Sequence, residues 1–185
     1  SLNVNDLRGS IGSVSIRETA NYIKFEKIIS LSNNVNASNK FENDIALLRT
    51  TNDIALYPLN DNLNSICLPD ADFRMEGTVT LTGWGVRALS GNIMSVNLKI
   101  LPSEECAEKV QSFSHNTMAC AKFPIDRAFC KIGESGGPLI QYKDERAFLV
   151  GILLLSTYGL NCQGAIAVFE KISTHSDWIE KNAVD

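Results

Sequence analysis

Apolar and polar residues alternate along short segments of this chain, which is typical of half-buried β-strands. The alternation is clearest at residues 78–85 and 95–101. Further strands are predicted at residues 14–16, 22–29, 43–49, 117–121, 139–142, 148–155 and 165–171. Because only a short polar segment separates 139–142 from 148–155, we expect these two strands to form a hairpin. The pattern therefore predicts a mostly β fold.

The segments outside the predicted strands include two short helices and one long loop. One helix is predicted with Ser103 as its N-cap, because Ser side chains satisfy free N–H groups at helix starts. A terminal helix is predicted to be capped by Ser173 or Thr174. Residues 30–40 are rich in Ser and Asn and are predicted to form a loop.

Length and charge narrow the classes of function. The chain has 185 residues, which is enough for one domain or two small barrels. Its net charge of −4 gives no electrostatic support for nucleic-acid binding. No apolar run is long enough to span a bilayer, and residues 150–155 have only the length of a buried strand. We therefore expect neither a nucleic acid nor a membrane as a partner.

Cysteines and histidines bear on metals and on the cellular compartment. The five cysteines contain no Cys-x-x-Cys pair, and only two histidines are present, which argues against zinc. An odd number of widely spaced cysteines suggests two internal disulfides and one remaining thiol, as in a secreted protein. Asn36 begins the glycosylation acceptor Asn-Ala-Ser in a polar loop. We expect an extracellular protein with no metal and no cofactor.

Residues 133–138, which read Gly-Glu-Ser-Gly-Gly-Pro, are the most informative segment of the chain. Glycines on both sides of Ser135 allow a tight turn that leaves the hydroxyl uncovered. They also let backbone N–H groups point at one spot, as an oxyanion hole requires. An ordinary glycine-rich turn between strands is the alternative. With Cys130 upstream, the segment resembles the nucleophile loop of chymotrypsin/trypsin-like serine proteases, in which Cys and one further residue precede Gly-Asp-Ser-Gly-Gly-Pro.

Other marks that resemble this family occur in the family's order along nearly the whole chain. Residues 44–48 read Asp-Ile-Ala-Leu-Leu, residues 66–69 read Ile-Cys-Leu-Pro, and residues 83–85 read Gly-Trp-Gly. The resemblance implies an all-β, trypsin-like double antiparallel β-barrel with an incomplete first barrel and a C-terminal helix. Residues 1–66 would hold the remainder of the first barrel and the start of the linker, and residues 67–185 the second barrel and the helix.

The resemblance implies catalytic roles for two residues. Ser135 matches the nucleophile, and Asp44 matches the acid that orients the catalytic histidine. Asp44 lies at the mouth of the strand predicted for residues 43–49, which we expect to be buried because polar residues bracket its apolar run. Without the resemblance, Asp44 would have only a local role at a strand end. Gly133 and Ser135 match the N–H donors of the oxyanion hole.

The chain departs from the family at positions that matter for catalysis. No histidine precedes Asp44, where the family carries its catalytic base in Ala-Ala-His-Cys. His115 and His175 are both expected to be solvated surface residues. Glu134 stands where the family has Asp, and the loop before it is one residue longer than in the family.

Four positions match the substrate pocket of the family: Ala128, Leu154, Ser156 and Ala167. Ala128 falls near the position where trypsins carry the aspartate that binds Lys or Arg. Leu154 and Ser156 fall in the strand that pairs with the substrate backbone, where the family has Ser and Gly. Ala167 falls where the family usually has Gly. We expect the additional side chains of Ser156 and Ala167 to narrow the pocket.

The family's disulfides imply two bonds here, Cys106 to Cys120 and Cys130 to Cys162. The second bond would hold the nucleophile loop against the pocket wall. Cys67 then remains unpaired within the chain. In two-chain members of the family, including arthropod clip-domain proteases and their inactive homologues, a cysteine in this segment holds the upstream chain. We therefore expect Cys67 to bond to an upstream light chain or clip domain, and a Cys67 buried as a small apolar residue is the alternative.

Two functions are compatible with these observations. The first is a secreted serine-protease homologue with little or no peptidase activity, which binds or regulates another protein. The second is the C-terminal part of an active serine endopeptidase that acts on protein substrates and whose histidine and activation site lie upstream of Ser1. Glu134, the longer loop and the filled pocket favour the first function, whereas the retained Ser135 and Asp44 favour the second.

Overall fold

The computed structural model of the chain describes residues 3–18, 21–31, 41–84, 91–124, 135–157 and 164–183. Within these residues the chain is mostly β. The strands are β1 (Arg8–Ile11), β2 (Asn21–Ser30), β3 (Ala46–Thr50), β4 (Thr78–Gly83), β5 (Met94–Ile100), β6 (Met118–Lys122), β7 (Pro138–Lys143), β8 (Arg146–Ser156) and β9 (Ile166–Lys171). The helices are α1 (Ser103–Lys109) and α2 (Ser176–Asn182), and a 3₁₀ turn at Ser173–His175 precedes α2.

Six strands close into an antiparallel barrel in the order β4, β5, β6, β9, β8, β7. Alternate residues of a strand point to opposite faces. In the β4–β5 pair, Val79 therefore lies opposite Leu98, and Leu81 lies opposite Val96, with all four side chains buried in the barrel. The alternation of the sequence thus places these residues in the core, and the strands predicted for this half of the chain are confirmed.

The predicted hairpin is formed by β7 and β8. Its two turn residues, Asp144 and Glu145, have φ values of 49° and 60°. Positive φ at both central positions is the requirement of a type I′ turn, whose twist matches that of the flanking strands. The hairpin supplies two neighbouring strands of the barrel, and β7 begins three residues after Ser135.

The first sheet is open and contains β1, β2 and β3 in that order. The prediction of a buried strand at residues 43–49 is wrong for most of its length. Only Ile45 is buried, whereas Leu48 is 46% exposed. The reason is that β3 is an edge strand, and no described strand pairs with its other side. The chain thus contains an open three-stranded sheet in place of a complete first barrel, a closed second barrel and a short C-terminal helix. This architecture confirms the predicted fold.

Three local predictions are wrong: one strand near the start of the chain and the N-caps of the two helices. Residues 14–16 form no strand, because Ser15 makes only an isolated bridge with Asn92 and a turn follows. Ser103 is the first residue of α1 rather than its N-cap, which is Pro102. Neither Ser173 nor Thr174 caps α2, because the 3₁₀ turn intervenes and the position before the helix has no side-chain cap.

The linker segment containing Cys67 lies beside β8 of the barrel. The backbone N–H of Cys67 donates to the carbonyl of Ala147 at 3.0 Å, and the N–H of Leu149 donates to the carbonyl of Cys67 at 2.9 Å. The thiol of Cys67 is free within the described part of the chain, and the residue is half-buried. These two bonds fix the backbone at Cys67 while leaving part of the residue accessible.

Candidate active site

Ser135 is exposed and lies in the turn that leads into β7. Gly136 follows it with a φ of 94°, a conformation that L side chains rarely adopt. The N–H of Gly136 donates to the carbonyl of Leu153 at 2.7 Å, and the N–H of Leu153 donates to the carbonyl of Gly137 at 2.9 Å. The backbone after Ser135 is therefore fixed against β8, with glycine at the position that requires it.

The hydroxyl of Ser135 donates a hydrogen bond to the carbonyl oxygen of Leu154 at 2.7 Å. The β8–β9 register places Leu153 opposite Phe169 and Leu155 opposite Val168, so Leu154 is the extra residue of a β-bulge. A bulged residue has no direct partner in the ladder. Its carbonyl is thus available to the serine, while its side chain is buried in the cluster around the Cys106–Cys120 disulfide.

Asp44 is exposed at the entrance to β3. It follows Asn43, whose φ of 59° is left-handed, and precedes the buried Ile45. The backbone N–H of Asn43 donates to Oε1 of Glu170 at 3.2 Å. The turn that carries Asp44 is therefore attached to β9 of the barrel, although Asp44 itself reaches into solvent.

A second contact attaches the same turn to the barrel. Ser114 lies in the loop between α1 and β6, and its hydroxyl donates a hydrogen bond to Oε1 of Glu42 at 3.2 Å. The Ser114 hydroxyl also lies 3.5 Å from the N–H of Thr117, which can donate to it. Glu170 and Ser114, which hold the turn, both belong to the part of the chain that forms the closed barrel. The position of Asp44 therefore depends on the barrel as well as on the first sheet.

Each of the two histidines has a side-chain partner other than Ser135. His115 is exposed, and its Nδ1 lies 2.9 Å from the hydroxyl of Ser103. His175 is buried, and its Nε2 lies 2.6 Å from Oε1 of Glu170. The expectation of a surface His175 is therefore wrong, because the 3₁₀ turn before α2 places it under the terminal helix, against the barrel.

Sequence reasoning missed the buried pair of Glu170 and His175. The available signal was a single carboxylate that directly follows four apolar residues, 166–169. That signal alone predicts an outward-facing Glu, because charged side chains are almost never fully buried unless they are paired. The partner could not be inferred, since residues five apart in the sequence have no fixed relation across a strand end and a 3₁₀ turn.

The predicted pocket residues are partly brought together. Ser156 lies directly opposite Ala167 in the β8–β9 register, and Ala167 and Leu154 are buried. The hydroxyl oxygen of Ser156 is buried without a hydrogen-bond partner among the described residues. Narrowing of the pocket by these side chains stays a prediction. The remaining candidate positions lie outside the described residues: Asn36, Ala128, Cys130, Gly133 and Cys162.

Lys171 lies next to Glu170 at the end of β9. Its Nζ donates to the carbonyl of His115 at 3.1 Å. Burial lowers the pKa of Lys171 from its ordinary value of 10.5, and the neighbouring Glu170 carboxylate acts in the opposite direction. Partial desolvation of the ammonium is thus the larger of the two effects.

The disulfide between Cys106 and Cys120 is present and joins α1 to β6. It closes a loop with a sequence separation of 14.

Neither of the described helices is long and apolar enough to cross a membrane.

Comparison with known proteins gives matches along most of the chain. The family model Trypsin matches residues 2–179. Trypsin-1 of Astacus astacus is 31% identical over 148 residues, which are 77% of this chain and 61% of that protein. Transmembrane protease serine 11G of Mus musculus is 29% identical over 170 residues, 85% of this chain and 38% of that protein. Tissue-type plasminogen activator of Bos taurus is 32% identical over 162 residues, 77% of this chain and 28% of that protein.

This chain therefore spans less than two thirds of the length of each of these relatives. The matched region nevertheless contains the turn of Asp44, the closed barrel and, within the barrel's part of the chain, the turn of Ser135. The chain belongs to the trypsin family of serine proteases and forms a trypsin-like serine protease domain.

Proposed function

We propose that this chain is a secreted serine-protease homologue with little or no peptidase activity, which acts by binding or regulating another protein. The observation that carries the proposal is the hydrogen bond from the Ser135 hydroxyl to the carbonyl of Leu154, 2.7 Å away. A serine nucleophile must give its proton to a base as it attacks. Here the proton points at a main-chain carbonyl, which cannot act as that base at neutral pH.

The histidines support the same proposal. The chain contains two, and their partners are Ser103 and Glu170. In a serine protease, loss of one triad member leaves only about 10³–10⁴-fold catalysis over water, which comes from the oxyanion hole and substrate binding. Without a histidine at Ser135, a protein bound at this surface would remain uncleaved for long enough to form a stable complex.

The compartment and the partner belong to the proposal as well. Disulfides persist in oxidising environments, so the bond between Cys106 and Cys120 favours a secreted, extracellular protein. The thiol of the half-buried Cys67 is the proposed attachment point of an upstream light chain or clip domain. The partner is a protein, and the proposed activity needs no cofactor.

A second candidate is the C-terminal part of an active serine endopeptidase. Its support is that the chain retains Ser135 and Asp44, which match the nucleophile and the orienting acid of the family in sequence. The relatives, which are longer than this chain, are consistent with a histidine supplied by another segment. In that case an imidazole would replace the carbonyl of Leu154 as the partner of Ser135.

A hydrolysis assay separates the two candidates. The natural secreted protein is incubated with a peptide library that carries every amino acid at the position before the scissile bond, and S135A is the matched control. We expect no cleavage by the natural protein above the S135A background. Cleavage that S135A abolishes would support the endopeptidase and contradict the proposal.

A further inference from the structure

Glu170 is a fully buried carboxylate that the proposed function does not use. Its Oε1 accepts the backbone N–H of Asn43 at 3.2 Å and lies 2.6 Å from Nε2 of His175. Its Oε2 is buried and has no hydrogen-bond partner among the described residues. One carboxylate oxygen therefore makes both contacts, and the other makes none.

Such a group is costly to bury. A charge taken out of water must be paired and hydrogen-bonded to offset its lost hydration. Ile45 and Ile172, which lie two residues from Asn43 and from Glu170 in the sequence, already pack together with Ile179 in a buried apolar cluster. A buried pair of ionisable side chains is weak evidence for stability, and its better attested use is to fix one arrangement of the chain. The geometry of Glu170 thus favours a role in positioning.

The segment that Glu170 holds has a conformation that needs support. Asn43 has a left-handed φ of 59°, which Asn tolerates better than most residues but which still carries strain. Its carbonyl accepts the N–H of Ile45 at 2.9 Å, and its N–H is bound by Glu170. Asp44 lies between these two bonds, so its direction is set by the turn that they close.

We infer that Glu170 and His175 are positioning residues, which hold the turn of Asn43 and Asp44 against the closed barrel. His175 fixes the carboxylate through Nε2, and the carboxylate fixes the turn through the N–H of Asn43. The polar contact between the turn of Asn43 and the terminal segment thus passes through one carboxylate oxygen. It lies alongside the apolar contact of Ile45 with Ile172 and Ile179. The contacts of Glu170 and His175 stand without any assumption about function. Only the significance of directing Asp44 rests on the proposed match of Asp44 to the family's orienting acid.

Hydrogen exchange tests the inference without any assay of activity. In the unmodified natural protein, the amide of Asn43 should exchange at least about tenfold more slowly than in an unstructured peptide, because it is hydrogen-bonded to a buried acceptor. An Asn43 amide that exchanges at the peptide rate would overturn the inference. This measurement needs no variant, so it remains decisive even where a substitution prevents folding.

Two substitutions at one position separate positioning from general stability. In E170A, exchange of residues 41–45 should accelerate about tenfold or more, while β5 keeps its protection. In E170Q, which retains an oxygen that can accept the N–H of Asn43, the acceleration should stay below about threefold.

The matched control is T80V, which removes the hydrogen bond of 2.9 Å between Thr80 and Asn97 in the barrel. T80V should leave exchange of residues 41–45 unchanged. Equal acceleration in E170A and T80V, or in E170A and E170Q, would contradict the inference. Either result would leave the proposed function untouched, because the readout involves neither cleavage nor binding.

Discussion

The hydroxyl of Ser135 donates its hydrogen bond to the carbonyl of Leu154, 2.7 Å away. The β-bulge of β8 makes this contact possible, because it removes Leu154 from the ladder with β9. The serine is thus held on β8, which the sequence resemblance predicts to be the strand that pairs with the substrate backbone. The proton of the hydroxyl is directed at this carbonyl rather than at a base, which is consistent with a domain that does not cleave peptides.

Removing the disulfide between Cys106 and Cys120 should destabilise the domain. The bond closes a loop with a sequence separation of 14, so C106A/C120A should lower the free energy of unfolding by about 3 kcal/mol. Denaturant unfolding of the variant and the unmodified protein measures this difference. The control compares the two proteins after reduction, when neither contains any disulfide, and the difference between their free energies of unfolding should then be small. Equal stability of the oxidised protein and the variant would contradict the prediction.

A second disulfide, between Cys130 and Cys162, stays a prediction from the resemblance. Peptide mapping under non-reducing conditions should find these two cysteines joined. A peptide that joins Cys106 to Cys162 would contradict both this pairing and the alignment on which it rests.

Cys67 should be bonded to a cysteine of another chain in the natural protein. Its thiol is unpaired in the described part of the chain and the residue is half-buried, and an accessible thiol in an oxidising compartment is prone to oxidation. The measurement is alkylation of the natural secreted protein without reduction, followed by mass spectrometry. We expect Cys67 to carry no alkyl group before reduction and one after it. Uptake without reduction would show that no upstream chain is attached there.

The open first sheet should make residues 1–185 self-associate when they are expressed alone. Sheet edges without partners and exposed apolar side chains both favour association. Tyr22 is 69% exposed and Leu48 is 46% exposed on this sheet. Y22K/L48K should therefore reduce association, as measured by sedimentation.

A matched control for this prediction lies on the closed barrel, where Tyr142 is 70% exposed. Y142K adds one positive charge at a comparably exposed site and should leave association unchanged. A monomeric, cooperatively melting chain without any substitution would contradict the prediction.

Stability should depend on pH in the alkaline range through Lys171. Burial lowers the pKa of this residue in the folded state below the ordinary 10.5 of the unfolded chain. Below both values the ammonium is charged in both states and the burial cost is present in full. As pH rises from the folded value towards 10.5, the folded state releases its proton first, so the cost falls and stability rises.

K171M isolates this effect, because Met is of similar length and does not titrate. The stability of the unmodified protein relative to K171M should increase with pH over that alkaline range, in denaturant unfolding at constant ionic strength. A difference that stays constant, or that changes in the opposite direction, would show that Lys171 is not desolvated on folding.

Much of the barrel could be predicted from the sequence because its strands obey a local rule. Val79 and Leu81 alternate with polar residues, and this alternation alone determines which side chains enter the core. The hairpin of β7 and β8 was equally local, since its turn and both strands are contiguous. Where one face of a strand meets the core and the other does not, the sequence carries the necessary information.

The failed predictions all depend on residues that are distant in the sequence or on competing local contacts. Burial of His175 depends on Glu170, which in turn binds the N–H of Asn43 across 127 positions. Exposure of Leu48 depends on the absence of a neighbouring strand among the described residues, which an apolar run cannot reveal. Ser103 was expected to cap α1, but its hydroxyl lies 2.9 Å from His115 instead.

Labelling of Ser135 by a fluorophosphonate tests the central claim most directly, because this reagent reacts with a serine only when its hydroxyl is activated by a base beside an oxyanion hole. The natural secreted protein is incubated with the reagent, and the modified fraction is measured by intact mass, with S135A as the control and an active serine protease as the reference. The account predicts that the natural protein stays unlabelled, like S135A, while the reference is fully labelled. Rapid labelling of the natural protein that S135A abolishes would contradict it.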